Sequence, residues 1–184
     1  MTGEPAAAGA VRARRVTRFA LLLAVAAILH TVEGAFPPPL PLPGARLGLA
    51  NIVSLLVLVT AGLRPALLLT LTRTILGAVL QGSLLGFGFL LSFGAGMAST
   101  LAMGMLYHGF GRRFSLVGVS LFGALTHNVT QLALAAAIVG SVGIVAYLPY
   151  MLLGSLPTGL MTGLAATAAL NARQGMLREW ITGA

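Results

Sequence analysis

Six apolar runs, near 17–35, 47–63, 65–81, 86–107, 115–140 and 145–170, occupy most of this 184-residue chain. Runs of that length leave the polypeptide few choices. In hydrocarbon every backbone N–H and C=O must be satisfied within the protein, and a helix needs roughly 17–25 residues to cross. Composition agrees: 58% of residues are hydrophobic and 8% are charged, against about 25% charged in a soluble domain. The expectation is an all-α integral membrane protein with six transmembrane helices.

The charged residues give its orientation. Every cation is arginine, the acids are Glu4, Glu33 and Glu179, and the formal net charge is +8. The arginines cluster at the ends of the apolar runs rather than on one soluble face, so the charge reads as membrane orientation and not as nucleic-acid binding. With the N-terminus inside, the inner loops and tails hold nine of them: Arg12, Arg14, Arg15, Arg18, Arg64, Arg112, Arg113, Arg173 and Arg178. The outer loops hold Arg46 alone. That asymmetry predicts both ends in the cytoplasm.

Between the runs the chain is punctuated in recognisable ways. Residues 1–15 read as a disordered basic tail, 16–170 as the six-helix domain and 171–184 as a cytoplasmic tail. Arg12 to Arg18 followed by an apolar run also has the form of a signal peptide. Because hydrophobic segments continue through the chain, the same stretch serves equally as a first anchor. The loop 36–44 is too rich in proline for a helix and should run extended over one membrane face. Gly62-Leu-Arg-Pro65 predicts a tight hairpin with proline in the first turn of the next helix. Glycines 94, 96, 118, 123, 154 and 159 fit close helix packing.

One cation stands apart. Arg73 lies eight residues past Pro65, about 12 Å into its run at about 1.5 Å per residue, close to the midplane. Its insertion costs at least ~2.5–3.5 kcal/mol and it cannot shed its proton, so it must face protein or a wet cavity with an acceptor nearby. Other polar groups fall in the same outer half: His30 and Glu33 on the first run, Asn51 on the second, and His127, Asn128 and Gln131 on the fifth, with Gln81 capping the third. His127 and Gln131 share a helix face at i, i+4. Together these residues could line one pocket open to the outside. Each also has a plainer role: Asn51, Asn128 and Gln131 as interhelical hydrogen bonds, worth ~0.6 kcal/mol on average, and Arg73 as an ion pair with Glu33.

Other chemistries find little footing. Two histidines and one glutamate, divided between the first and fifth runs, lack a zinc spacing motif, so no metal and no cofactor is expected. His108, beside Tyr107, reads as an interfacial residue. The chain has no cysteine, no aspartate, no Gly-x-Ser-x-Gly and no phosphate-cradling loop, so it is not expected to be catalytic alone. Ala20, Ala24 and Ala27 form a small-residue stripe suited to docking on another membrane helix.

Four segments carry a resemblance: Pro43-Gly-Ala-Arg-Leu-Gly-Leu-Ala-Asn-Ile52, Arg73 with Gly77, Ser92-Phe-Gly-Ala-Gly-Met-Ala-Ser99, and Gly123-Ala-Leu-Thr-His-Asn-Val-Thr-Gln131. In this order, over about 16–170, the chain resembles the small bacterial membrane family labelled either the Gx transporter family or heptaprenyl diphosphate synthase component I. That family is similar in turn to the substrate-binding S components of energy-coupling factor (ECF) transporters. The resemblance implies a six-helix S-component-like bundle that takes substrate from the outer side and docks through small residues of helix one on a T component driven by two ATPases. The synthase label implies instead a soluble, aspartate-rich prenyl diphosphate synthase as partner. On the first implication a small anionic or amphipathic ligand would meet Arg73, with Asn51, His127, Asn128 and Gln131 supplying hydrogen bonds. His30 and Glu33 would line the mouth and the loop 36–44 would act as a lid.

Overall fold

A computed structural model describes residues 4–35, 49–110 and 113–171. The described chain folds as helices: α1 (Glu4–Ala35), α2 (Leu49–Ala61), α3 (Leu63–Leu80), α4 (Phe87–Gly109), α5 (Leu116–Val139) and α6 (Leu148–Asn171), with a short 3-10 helix, Val142–Tyr147, leading into α6. Four segments are long and apolar enough to cross a membrane, Leu63–Leu80, Phe87–Gly109, Leu116–Val139 and Val142–Asn171, and two shorter apolar stretches, Val16–Val32 and Ala50–Ala61, accompany them. The protein is a multi-pass membrane protein. Its outward surface agrees, since Leu21, Ile28, Leu76, Phe122, Leu153 and Leu160 are exposed rather than packed, a pattern that only lipid makes tolerable on this scale.

The helix boundaries follow local chemistry. Gly62 alone breaks α2 from α3, in the left-handed region at φ 93°, where a residue without Cβ is not strained. Pro65 falls in the first turn of α3, as expected. Ser115 starts α5 by accepting the Gly118 N–H on its Oγ at 3.2 Å. Gly140 ends that helix at φ 72°. One expectation needs correction. The second run is expected over 47–63, but α2 has 13 residues, about 20 Å at 1.5 Å per residue, less than the ~30 Å of hydrocarbon. At the other end of the first helix, α1 begins at Glu4, where alanines and arginines are strong helix formers.

A short α2 is tolerable because it sits inside. It packs against α1, α3, α4 and α6, while α5 packs between α4 and α6. Ser54, Leu55, Val57 and Leu58 of α2 are essentially inaccessible, as expected of a helix that is apolar all round. The apolar core joins Leu55, Val57 and Leu58 to Ala66 and Leu69 of α3, Met103 of α4, Val119 of α5 and Ala166 of α6. All of them lie toward the end of the bundle that holds the α2–α3 turn.

Glycine brings the later helices close. A Cβ on Gly163 would stand 2.5 Å from the Val117 Cα, and one on Gly159 3.1 Å from the Leu121 Cα, so α5 and α6 meet almost backbone to backbone. Gly123 and Gly94 make room for Met103 and Leu134, and Gly96 for Thr70. Gly118 has only ordinary contacts, so its expected packing role is not borne out. These contacts fix the register: α2 to α6 run alternately up and down, and α1 runs alongside α3.

Candidate functional site

The register puts the polar residues at the end opposite the packed core. On α3, Arg73 is 5% exposed, and its Nη2 donates a 2.6 Å hydrogen bond to Asn51 Oδ1 in the first turn of α2. Such a charge-assisted bond is short and holds the planar guanidinium in one orientation. One turn further along α3, Gly77 leaves the space that His30 of α1 fills: a Cβ there would lie 2.5 Å from the His30 Cδ2 and 3.1 Å from its Nε2. His30 is itself 9% exposed. Three helices thus bring His30, Asn51 and Arg73 together in one small region.

Below this group lies a hydroxyl chain that sequence reasoning missed. Ser54 Oγ is 3.3 Å from Thr70 Oγ1, and Thr70 Oγ1 is 3.0 Å from Thr100 Oγ1. Thr100 donates its one proton to the Gly96 carbonyl at 2.9 Å. A hydroxyl has a single proton to give. Thr70 must therefore donate to Thr100, and Ser54 to Thr70, so the chain runs in one direction across α2, α3 and α4. All three hydroxyl residues are buried. The available signal was symmetry about Gly62, since Ser54 and Thr70 stand eight residues to either side of it.

The α5 residues form a second cluster. Asn128 Nδ2 donates to the Met151 carbonyl at 2.7 Å, tying α5 to α6, which is its plainer role. His127 is half-buried on the same face as Gln131. Gln131 is 7% exposed, and its Oε1 is fully buried with no hydrogen-bond donor among the described residues. On α4, Gly96 adjoins Thr70, one turn from Arg73, and Gly94 adjoins Leu134, one turn from Gln131. The two clusters therefore stand at one level of the bundle, on either side of the Gly94–Gly96 stretch. Ser99 Oγ ties the same helices together, donating to the Gly123 carbonyl at 2.8 Å.

The remaining expected residues fall elsewhere or beyond view. The Glu33 side chain, the proline loop 36–44 and Arg46 lie outside the described residues, so neither the Arg73–Glu33 pair nor the lid is seen. Gln81 forms the C-cap of α3 through its backbone N–H to the Gly77 carbonyl at 3.1 Å, with its side chain exposed, away from the buried group. Ala20 and Ala24 are exposed on α1, but Ala27 is buried inside the bundle. Ala26, Ala27 and His30 make up the inward face of α1. His108 is exposed at the end of α4, its ring 5.3 Å from that of Tyr107.

Chemically, the arrangement is a buried, oriented guanidinium beside an imidazole, and at the same depth a buried amide oxygen. It can grip an anionic group and accept a hydrogen bond. Among the described residues no three His, Cys, Asp or Glu side chains come together. A family model described as heptaprenyl diphosphate synthase component I matches residues 22–169. No curated protein and no solved structure matches the chain.

Proposed function

The chain belongs to the heptaprenyl diphosphate synthase component I family, and we propose that it is a membrane substrate-capture subunit, like an ECF S component, of a bacterial small-molecule importer. It crosses the cytoplasmic membrane six times with both ends inside, and takes an anionic or amphipathic molecule from the outer side. The observation that carries this reading is the buried Arg73, oriented by Asn51 at 2.6 Å. A guanidinium held in low dielectric binds a carboxylate or phosphate far better than one in water. His30 and His127 flank the ligand, and Asn128 and Gln131 contribute from α5. Glu33 and the loop 36–44 control the mouth. The chain has no lysine and hence no phosphate-binding Gly-Lys loop, so transport borrows its motor: a T component docked on the exposed Ala20 and Ala24 face of α1, with Ala27 behind it, and two ATPases.

The family description itself favours a second reading, in which the protein is the membrane-embedded auxiliary subunit of a heptaprenyl diphosphate synthase. Such a synthase holds magnesium through aspartates, and this chain has none, so a soluble aspartate-rich partner supplies the chemistry.

Affinity purification of the tagged full-length protein from its own membranes separates the two. An ATPase pair and a T component recovered with it support capture for import. A stoichiometric soluble synthase in their place supports the auxiliary role and removes the first reading. Small molecules retained by the wild type but lost from Arg73→Gln identify the captured compound.

A further inference from the structure

We infer that the captured molecule carries a hydrogen-bond donor as well as an anionic group, and that it gives this donor to Gln131 Oε1. The inference rests on the capture reading above and narrows its ligand class. Gln131 is more than nine-tenths buried, and its Oε1 meets no donor among the described residues. An amide oxygen left so in an apolar bundle is costly unless something donates to it. A leucine or methionine would fill the same position without that cost, so the acceptor has a use there.

The surroundings point to a ligand. Gln131 shares its face of α5 with His127, at i, i+4. It stands at the level of Arg73, with Gly94 and Gly96 of α4 between the two helices that bear them. The proposed molecule meets the guanidinium at one end and gives an N–H or O–H further along to the amide oxygen. Asn128, one residue from His127, is already tied by its Nδ2 to Met151. Gln131 Oε1 is the α5 amide oxygen that is both buried and without a donor among the described residues. A prenyl diphosphate suits such a site poorly. Its ionised head offers acceptor oxygens and its tail is hydrocarbon, so nothing in it donates to Gln131. The favoured class is an acid with an additional hydroxyl, amide or amine.

The test uses the full-length protein in lipid nanodiscs. The first probe is the pool of small molecules eluted from the wild-type protein; farnesyl diphosphate is the donor-free comparison. Rebinding of each is measured on stripped wild type, Arg73→Gln and Gln131→Met, with the thermal midpoint of each empty protein as the check on folding. An eluted acid bearing an N–H or O–H should bind Gln131→Met about tenfold more weakly, the worth of one buried hydrogen bond. Farnesyl diphosphate should be indifferent to that change. Empty Gln131→Met should be as stable as wild type or more so. If the methionine variant fails to fold, Gln131→Leu, which likewise removes the acceptor without adding charge, replaces it with the same expectation. The inference is overturned if the Arg73-dependent molecule lacks a donor, or if it binds Gln131→Met as tightly as wild type, which would leave Gln131 to a water molecule. An eluate with no Arg73-dependent molecule overturns the capture reading itself, and this inference with it.

Discussion

Asn51 and Arg73 stand eleven residues to either side of Gly62, and the hairpin that this glycine permits closes a 2.6 Å bond between them. Eleven residues of helix span about 16 Å, so a turn at one end of the bundle sets an arginine contact toward the other. The relation makes Asn51 a sensitive lever. Asn51→Leu removes a neutral acceptor from a buried charge and should lower the thermal midpoint by the equivalent of about 1–3 kcal/mol. Asn51→Asp places a carboxylate against the guanidinium; it should raise the midpoint and abolish anion capture together, since that carboxylate competes with the captured anion for Arg73. Thermal unfolding in detergent, paired with ligand retention, reads both.

The hydroxyl chain predicts a second effect. Thr70→Val keeps the side-chain shape but deletes the donor to Thr100 and the acceptor for Ser54. Interhelical bonds in membranes average ~0.6 kcal/mol each, so the loss should be about 1 kcal/mol. Ser54→Ala together with Thr70→Val should cost little more than Thr70→Val alone, because the deleted groups are partners. Strict additivity in that double-mutant cycle would show that the chain does not act as a unit.

Glycine substitutions should divide by what each Cβ would meet. Gly163→Ala drives a methyl to 2.5 Å from the Val117 Cα, a backbone atom with nowhere to go, and must part α5 from α6. Gly123→Ala meets the flexible Met103 side chain, and Gly118→Ala only ordinary contacts at 3.6 Å. The expected order of destabilisation is Gly163 over Gly123 over Gly118, with the first costing about 2 kcal/mol or more. Unfolding in a denaturing detergent series measures it, and an inverted order would contradict the close approach.

Much of this fold was legible because lipid simplifies the grammar. Span-length apolar runs, Gly62 followed by Pro65, and Gly140 after α5 each have one physical meaning, and the helices begin or end beside them. The central placement of α2 was not legible. Its all-round apolarity says it is shielded, but not by which helices, and its shortness becomes acceptable only once α1, α3, α4 and α6 enclose it. For the site, depth was readable from residue counts, which put Arg73 and Asn51 in one polar set without making them partners. Partner choice was not readable from depth: Asn128 spends a donor on a backbone carbonyl, and Ala27 turns inward, through side-chain directions that spacing alone does not resolve. The hydroxyl chain escaped notice because isolated serines and threonines in membrane helices usually bond their own helix, as Thr60 and Thr72 do here at 2.6 and 2.7 Å.

Gly77→Ala offers a local probe of the arginine region. The added methyl would meet the His30 ring at 2.5 Å, so the imidazole must swing away from α3, one turn from Arg73. Retention of an Arg73-dependent molecule should fall several-fold with a modest loss of stability. His30→Ala in the same background should restore the stability, since it removes the obstructing ring, but leave retention low. Recovery of both by the double variant would mean that His30 only fills space.

The arginine asymmetry makes a prediction about orientation that the chain is well suited to answer. It contains no cysteine, so single cysteines report their side of the membrane without background. Ser83, in the connection between α3 and α4, and Ser141, between α5 and α6, are both exposed; Ser83→Cys and Ser141→Cys should react with an impermeant maleimide added to intact spheroplasts. Ala13→Cys on α1 and Phe114→Cys before α5, also exposed and flanked by arginines, should react only after the membrane is opened. The physical basis is that arginine-bearing loops are retained on the cytoplasmic side during insertion. Labelling of Phe114→Cys from outside would reverse the orientation and put Arg73 and Gln131 in the cytoplasmic half. A molecule would then reach them from within the cell, which fits export or synthesis and not capture from outside.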